Sequence, residues 1–401
     1  MMTQTIDRTE TAGFRRNLTV LILAQSLGAA SGPIVISLGG LVGQDLATDP
    51  ALATLPVSIY NLGLALGTVP AAWIMRQYGR RSGYLLGAMI GVLSGLVAAG
   101  AISFGAFIFF CLGTFLAGLY ASYVQSYRFA AADGREGADR GRAISWVMVG
   151  GLIAAIIGPQ LVIATRDAVP GVPFAGSFLS QAALALIAFF VLTRLRGRQP
   201  AATAQTSSDD GGRTVLQLLA SPKYMLGVAA GVVSYGLMSF VMTAAPLAMV
   251  GCGHSIDHAA WGIQWHVLAM FAPSLVTGKL IARFGKEKVT AAGLIIIGIS
   301  GAVALTGLDL RHFFISLILL GIGWNFGFIG ATAMVAAAHT EAERGRAQGL
   351  NDFAVFGTVA ALSFFSGALM QASGWHLINL LMLPFIAIVL APLVWQAARR
   401  V

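Results

Sequence analysis

The sequence predicts an all-α integral membrane protein of twelve transmembrane helices, arranged as two pseudosymmetric six-helix bundles. Three observations carry this. Of 401 residues, 57% are apolar and only 10% are charged, against roughly 25% charged residues in soluble chains. Apolar runs of about twenty residues, the length that crosses ~30 Å of hydrocarbon, recur along the whole chain without the period-two alternation of membrane strands. Threading the runs back and forth leaves 23 of the 25 Lys and Arg residues on the side that holds the N-terminus. The positive-inside rule puts that side, and both termini, in the cytoplasm.

In chain order the predicted spans are residues 17–39, 52–75, 84–103, 106–128, 143–164, 173–193, 223–249, 258–281, 289–308, 312–335, 347–371 and 376–397. The first follows Arg15 and Arg16 and ends without a small-residue cleavage pattern, so it reads as a retained helix and not a secretion signal. Connections on the N-terminal side carry Arg76, Arg80 and Arg81, then Arg128 to Arg142, Lys279 to Lys288, and Arg344 with Arg346; the opposite side holds Arg166 and Arg311 only. A single missed span would scramble that alternation. Residues 194–222 are polar and rich in Ser, Asp, Gly and Thr, too poor in apolar area to order themselves. They are expected to form a cytoplasmic linker between an N-terminal bundle, 1–193, and a C-terminal bundle, 223–401. Cys111 in a span and Cys252 in a connection imply no disulfide framework. The net charge of +9 sits in short clusters and not on a continuous basic face, so the expected partner is the lipid bilayer and not nucleic acid. A monomer without cofactor or bound metal is expected.

The chain is internally duplicated. Ala72-Trp-Ile-Met-Arg-Gln-Tyr-Gly-Arg-Arg81, after span 2, aligns at an offset of 206 with Gly278-Lys-Leu-Ile-Ala-Arg-Phe-Gly-Lys-Glu287, after span 8. Arg140-Gly-Arg-Ala143 recurs at an offset of 204 as Arg344-Gly-Arg-Ala347, again in the corresponding loop. Two matches at nearly one offset identify parallel repeats.

With these motifs the chain resembles the major facilitator superfamily, whose signature between helices 2 and 3 reads Gly-x-Leu-x-Asp-Arg-x-Gly-Arg-Arg, with a weaker second copy between helices 8 and 9. Here Ala72 replaces the leading Gly, and the signature Asp is Arg76 in the first copy and Ala282 in the second. The resemblance implies a secondary transporter whose two bundles rock about a midplane site lined by helices 1, 4, 7 and 10. It implies gating roles for Arg76, Gly79, Arg80 and Arg81, and for Arg283 and Gly285 in the second copy.

The lining helices hold the polar and aromatic residues that hydrocarbon penalises. Gln25 lies in span 1; Tyr120, Tyr123 and Tyr127 share one face of span 4; Tyr235 lies in span 7; Trp324 and Phe328 share a face of span 10 with Asn325 beside them. Beyond the boundary residue Lys223, spans 1, 7 and 10 contain no Asp, Glu, Lys or Arg, and span 4 has only Arg128 at its end. A strongly ionic solute would lack a counter-charge there. The expected substrate is therefore small, mostly uncharged and ring-bearing, held by stacking and by amide and phenol hydrogen bonds. Riboflavin or a similar heteroaromatic nutrient suits such a lining, the superfamily includes bacterial riboflavin importers, and uptake is preferred over export.

Drug and metabolite efflux by proton antiport is the alternative. Gly150, Gly158 and Pro159 match part of the antiporter motif of helix 5, but Val162 and Ile163 stand where its terminal Gly pair belongs. A kink with a close helix contact explains the same residues, and Gly83, Gly87, Gly91 and Gly95 read as a packing ridge on span 3. His266 in span 8 is a candidate carrier of a coupling proton or a neutral buried histidine. Asp352 in span 11 is expected to pair with Arg76 in a charge-swapped latch, or locally with Arg344 or Arg346. The Cys252 to His258 connection holds metal-ligand types without a second ligand group. No Walker loop, zinc-protease pair or nucleophile elbow points to a membrane enzyme, the remote competitor.

Overall fold

The computed structural model describes residues 2–131, 137–195, 212–340 and 342–398. Among them all regular structure is helical, because in hydrocarbon only a helix or a closed barrel pairs every backbone amide and carbonyl. The helices are α1 (Met2–Gly28), α2 (Ser31–Leu46), α3 (Leu55–Tyr78), α4 (Arg80–Ser103), α5 (Phe107–Ala131), α6 (Gly137–Thr165), α7 (Ala175–Thr193), α8 (Val215–Leu219), α9 (Pro222–Gly251), α10 (Ile256–Phe271), α11 (Ser274–Phe284), α12 (Lys286–Leu305), α13 (Leu310–Ala336) and α14 (Arg344–Ala398).

Ten described stretches are long and apolar enough to cross a bilayer, or eleven when α10 and α11, bent by 41°, count as one span. At 1.5 Å per residue α14 would reach ~80 Å, far more than one ~30 Å crossing needs. Its backbone leaves the helical region at Gly374 (φ 73°, ψ −176°). Division there separates the last two predicted spans, and the count of twelve rests on it.

The chain folds as two compact units, residues 1–38 with 62–202 and residues 39–61 with 203–401. In the first unit α4 packs on α5 and α7, and α1 packs on α5, α6 and α7. The contacts are close because glycines line α4. A Cβ on Gly87 would fall 2.6 Å from Tyr123 Cγ, one on Gly91 2.5 Å from Tyr120 Cδ1, and one on Gly95 2.5 Å from the Phe178 carbonyl oxygen. Packing without a hydrophobic drive between helices depends on such approaches.

In the second unit α13 sits against α9, α10 and α12, and α14 against α9 and α12. Residues 39–61, which the linear division of the sequence gives to the N-terminal bundle, belong here. Thr54 donates from Oγ1 to the Ser363 carbonyl at 3.0 Å, and Asn61 donates from Nδ2 to Ser363 Oγ at 2.9 Å. Ser239 Oγ lies 2.8 Å from the same hydroxyl. Buried polar groups must find partners, and one serine on α14 serves three.

The duplication seen in the sequence is written into the backbone. Gly79, between α3 and α4, has φ 83° and ψ 155°, and Gly285, between α11 and α12, has φ 88° and ψ 152°. Both torsion pairs lie where an L side chain is strained, so each copy of the loop motif keeps its glycine.

Part of the predicted linker, residues 196–211, lies outside the described residues. The part after it is ordered. The Arg213 guanidinium donates from Nε to Glu343 Oε1 and from Nη2 to Glu343 Oε2, both at 2.8 Å, and from Nη2 to the Ala338 carbonyl at 2.6 Å. The backbone amides of Arg213 and Thr340 donate to the same carboxylate at 2.8 and 2.9 Å. Together, the Arg213 side chain first, they hold the Glu343 carboxyl well below the usual carboxylate range. Thr214 and Gln217 form a reciprocal cap for α8, and Leu218 is buried beside Tyr224, Val228, Val335 and Ala347. Composition misses this anchor because a single Arg pairs with a Glu 130 residues away.

Candidate functional site

The second unit brings the predicted aromatic residues together. On α13, Trp324 and Phe328 stack with ring centroids 5.5 Å apart and planes 17° apart, as residues one helical turn apart can. Tyr235 of α9 presents its edge to both, at 5.3 Å from Trp324 and 5.0 Å from Phe328. Two further rings complete the group. Phe356 of α14 lies 5.8 Å from Tyr235, and Phe271, at the end of α10, lies 6.0 Å from Trp324. The edge-to-face arrangements are those that ring quadrupoles favour. Trp324 is buried, yet its Nε1 hydrogen-bond donor has no partner among the described residues. A buried donor without an acceptor costs about 1–3 kcal/mol, so a ligand carbonyl or ring nitrogen placed there would relieve it.

Of these five rings the sequence singles out Tyr235, Trp324 and Phe328, and not Phe271 or Phe356. Phe271 had a signal: Pro273 stands two residues on and breaks the span. Phe356 had none, because span 11 is not one of the lining helices that the family resemblance implies.

Asn325 faces away from a ligand role. It is fully buried; Nδ2 donates to the Met270 carbonyl and to Ser274 Oγ, each at 2.6 Å, and Oδ1 accepts from Thr277 Oγ1 at 2.6 Å. Both amide hydrogens and the oxygen are used within the protein. His266 is also fully buried. Its Nδ1 lies 2.7 Å from the Leu317 carbonyl, so Nδ1 carries the proton and donates, and Nε2 has no partner among the described residues.

In the first unit the three tyrosines of α5 are buried against neighbouring helices. Tyr120, Tyr123 and Tyr127 are 1%, 4% and 0% exposed. Tyr120 and Tyr123 fill the glycine notches of α4, and the Tyr127 ring meets Tyr84 edge-on at 4.6 Å. The face that three- and four-residue spacing put together is real, but it points at α4. Gln25 is half-buried, its stem lying where a Cβ on Gly150 of α6 would come within 2.9 Å. Gly158 likewise closes on the Ala30 carbonyl and Pro33. The Gly-Pro segment of α6 thus provides a close helix contact.

Of the loop residues, Arg76 and Arg283 are exposed. Arg283 covers the neighbouring Phe284 ring at 5.2 Å. Arg81 donates from Nη2 to the Thr193 carbonyl, at the end of α7, at 2.7 Å, a placement favoured by the unpaired carbonyls there. Arg80 neighbours it at the start of α4. Asp352 is exposed and accepts from Asn351 Nδ2 at 3.1 Å; Arg76 and Asp352 belong to different units. In the connection after α9, His254 Nε2 lies 2.8 Å from the Leu308 carbonyl.

Comparison with known proteins adds an independent line. The chain is 63% identical over 386 residues to the riboflavin transporter RfnT of Brucella anthropi, covering 96% of this chain and 97% of that one. It is 30% identical to the uncharacterized transporter YdeG of Bacillus subtilis, covering 96% and 93%. Among solved structures, a mutant of the nucleoside transporter NupG superposes with a TM-score of 0.74 at 15% identity, covering 94% of this chain and 99% of that one. The POT-family transporter PepTSo gives 0.71 at 11%, covering 96% and 98%. The profile of the Major Facilitator Superfamily matches residues 18–270 and 227–400, and with the duplicated loop motifs and the all-helical fold this establishes that the chain belongs to that superfamily of secondary transporters.

Proposed function

We propose that the protein takes up riboflavin, or a flavin-like heteroaromatic solute, across the bacterial inner membrane by alternating access. The observation that carries this is the 63% identity to a riboflavin transporter over nearly the whole of both chains. The aromatic group on α9, α10, α13 and α14 supports it, because a flat three-ring heterocycle offers faces for Trp324, Phe328 and Tyr235 and carbonyl acceptors for the unpaired Trp324 Nε1. Helix packing accounts for Gly150 and Gly158, the residues that match the antiporter motif, so uptake is preferred over efflux.

Both termini and the basic loops face the cytoplasm in this reading. Thiols introduced at Asp49, Asp167 and Asp309 in a Cys252→Ser background should label from outside, and thiols at Arg81 and Lys286 should not. His266 is the acceptor assigned to a coupling proton, its Nε2 being the free position. His266→Gln should then abolish proton-driven accumulation while leaving exchange intact. The decisive binding test is quenching of flavin fluorescence by the purified protein. Saturable quenching by riboflavin supports the reading, and quenching only by lipophilic cationic dyes would replace it with efflux.

A further inference from the structure

The Asn325 hydrogen bonds lie on the break between α10 and α11. Pro273 has no backbone N–H and its ring cannot follow the preceding turn, so α10 ends at Phe271 and α11 starts at Ser274, bent by 41°. The local bonds shift register: Leu275 N–H donates to the Ala272 carbonyl at 3.3 Å and Val276 N–H to the Pro273 carbonyl at 2.9 Å. The Met270 carbonyl, which an unbroken helix would pair with the amide of residue 274, instead accepts from Asn325 Nδ2. On the far arm, the Thr277 hydroxyl shares its proton between Asn325 Oδ1, at 2.6 Å, and the Pro273 carbonyl, at 2.8 Å. One side chain of α13 thus grips the last turn of α10 and the first turn of α11. An open carbonyl at this depth would be costly in lipid, and a neighbouring helix is one of the few things that can satisfy it.

The grip sits inside the aromatic group. Asn325 follows Trp324 in the chain, and Met270 precedes Phe271, whose ring meets Trp324 at 6.0 Å. Fixing the Met270 carbonyl against α13 therefore fixes how close Phe271 stands to Trp324.

We propose that Asn325 is a positioning residue for the transported ring system: by clamping both arms of the broken span it sets how Phe271 stands against Trp324, and so the arrangement of the aromatic group that meets the solute. The proposal rests on the reading of that group as the flavin site. Asn325 itself does not touch the solute.

The test is a double-mutant cycle read by riboflavin fluorescence quenching with the purified full-length protein, together with a distance measurement that needs no ligand. Asn325→Ala should weaken riboflavin binding about tenfold, equivalent to ~1.4 kcal/mol. In a Phe271→Ala background the same substitution should change affinity less than about twofold, because the residue through which it acts is gone. Additive effects, or unchanged affinity in Asn325→Ala, would overturn the proposal. Thr277→Val and Ser274→Ala, which each remove one hydrogen bond of Asn325, should give smaller losses of the same kind and keep the test alive should Asn325→Ala not fold. Separately, nitroxide labels at Trp265 and Arg283, one on each arm, in a Cys252→Ser background should show a shifted or broadened distance in Asn325→Ala without any ligand. An unchanged distance refutes the clamp even if riboflavin binds. Failure of the wild-type protein to quench riboflavin, with the distance shifted, would refute the flavin reading and leave the clamp standing.

Discussion

Gly91→Ala tests the packing that takes the span-4 tyrosines out of the substrate path. An added Cβ would lie 2.5, 2.7 and 2.9 Å from Tyr120 Cδ1, Cε1 and Cγ, where carbon atoms normally settle ~3.5–4.0 Å apart. The ring would have to retreat by about 1 Å. It cannot swing out: Tyr120 is 1% exposed, and its hydroxyl end is held at Gly28, where a Cβ would come within 2.6 Å. Overpacking of this kind costs ~1–3 kcal/mol. Gly100→Ala, on the same helix with nothing within 4 Å of the added methyl, supplies the control; it should be neutral or stabilising by ~0.5–1 kcal/mol, the ordinary gain of Ala over Gly in a helix. Thermal unfolding of the purified variants in detergent should show Gly91→Ala melting several degrees below wild type and Gly100→Ala at or above it. Equal melting temperatures would show that Tyr120 has room to move, and the assignment of that ring to packing would fall.

Trp324→Ala should weaken riboflavin binding by ~1–3 kcal/mol, the scale of stacking on an aromatic side chain, whereas Trp324→Phe, which keeps a ring and loses the donor, should lose ~0.5–1.5 kcal/mol; in calorimetric titrations, no loss in Trp324→Phe would remove the Nε1 contact, and a loss equal to that of Trp324→Ala would remove the stacking. Gly79→Ala and Gly285→Ala should each destabilise by ~1–2 kcal/mol from torsional strain alone, since no atom other than Glu287 Oε2, 3.8 Å from the Gly285 position, crowds either methyl; Gly278→Ala, in open space inside α11, should be neutral or slightly stabilising in the same melts. Glu343→Gln should loosen the end of the linker and speed protease cleavage near Arg213. Because the folded protein holds the Glu343 carboxyl below its ordinary value of 4.5, its contribution is complete above that value and is lost progressively as pH falls from there through the depressed folded value. Wild type should therefore converge on the variant's cleavage rate in acid and differ from it at neutral pH.

The fold was legible because its determinants are repetitive: span length, loop charge and the two loop motifs each recur along the chain. The glycines at 79 and 285 were found as letters in a repeat, and the backbone supplies their reason. What the sequence could not give is direction around a helix in three dimensions. Tyr120, Tyr123 and Tyr127 do share a face, but whether that face meets a cavity or a neighbouring helix depends on where α4 stands. Asn325 was noticed as a polar residue in a span, yet its partners, Met270 and Thr277, are about fifty residues away and one of them is a backbone carbonyl that only Pro273 hints at. The anchor of Arg213 on Glu343 was hidden for the same reason, a long-range pair inside a segment whose composition argues against order. The attachment of residues 39–61 to the second unit depends on hydroxyls, such as Thr54 and Ser363, that no motif singles out.

The central claim is that this transporter moves a flavin-like solute without chemical energy input from ATP. Counterflow tests it most directly: the purified protein in liposomes loaded with unlabelled riboflavin, with a trace of labelled riboflavin outside and no ATP. The account predicts a transient internal accumulation of label above equilibrium, reduced in Trp324→Ala and retained in His266→Gln. Protein-free liposomes should give no overshoot. An absence of riboflavin counterflow in vesicles that do exchange lipophilic cations would contradict it.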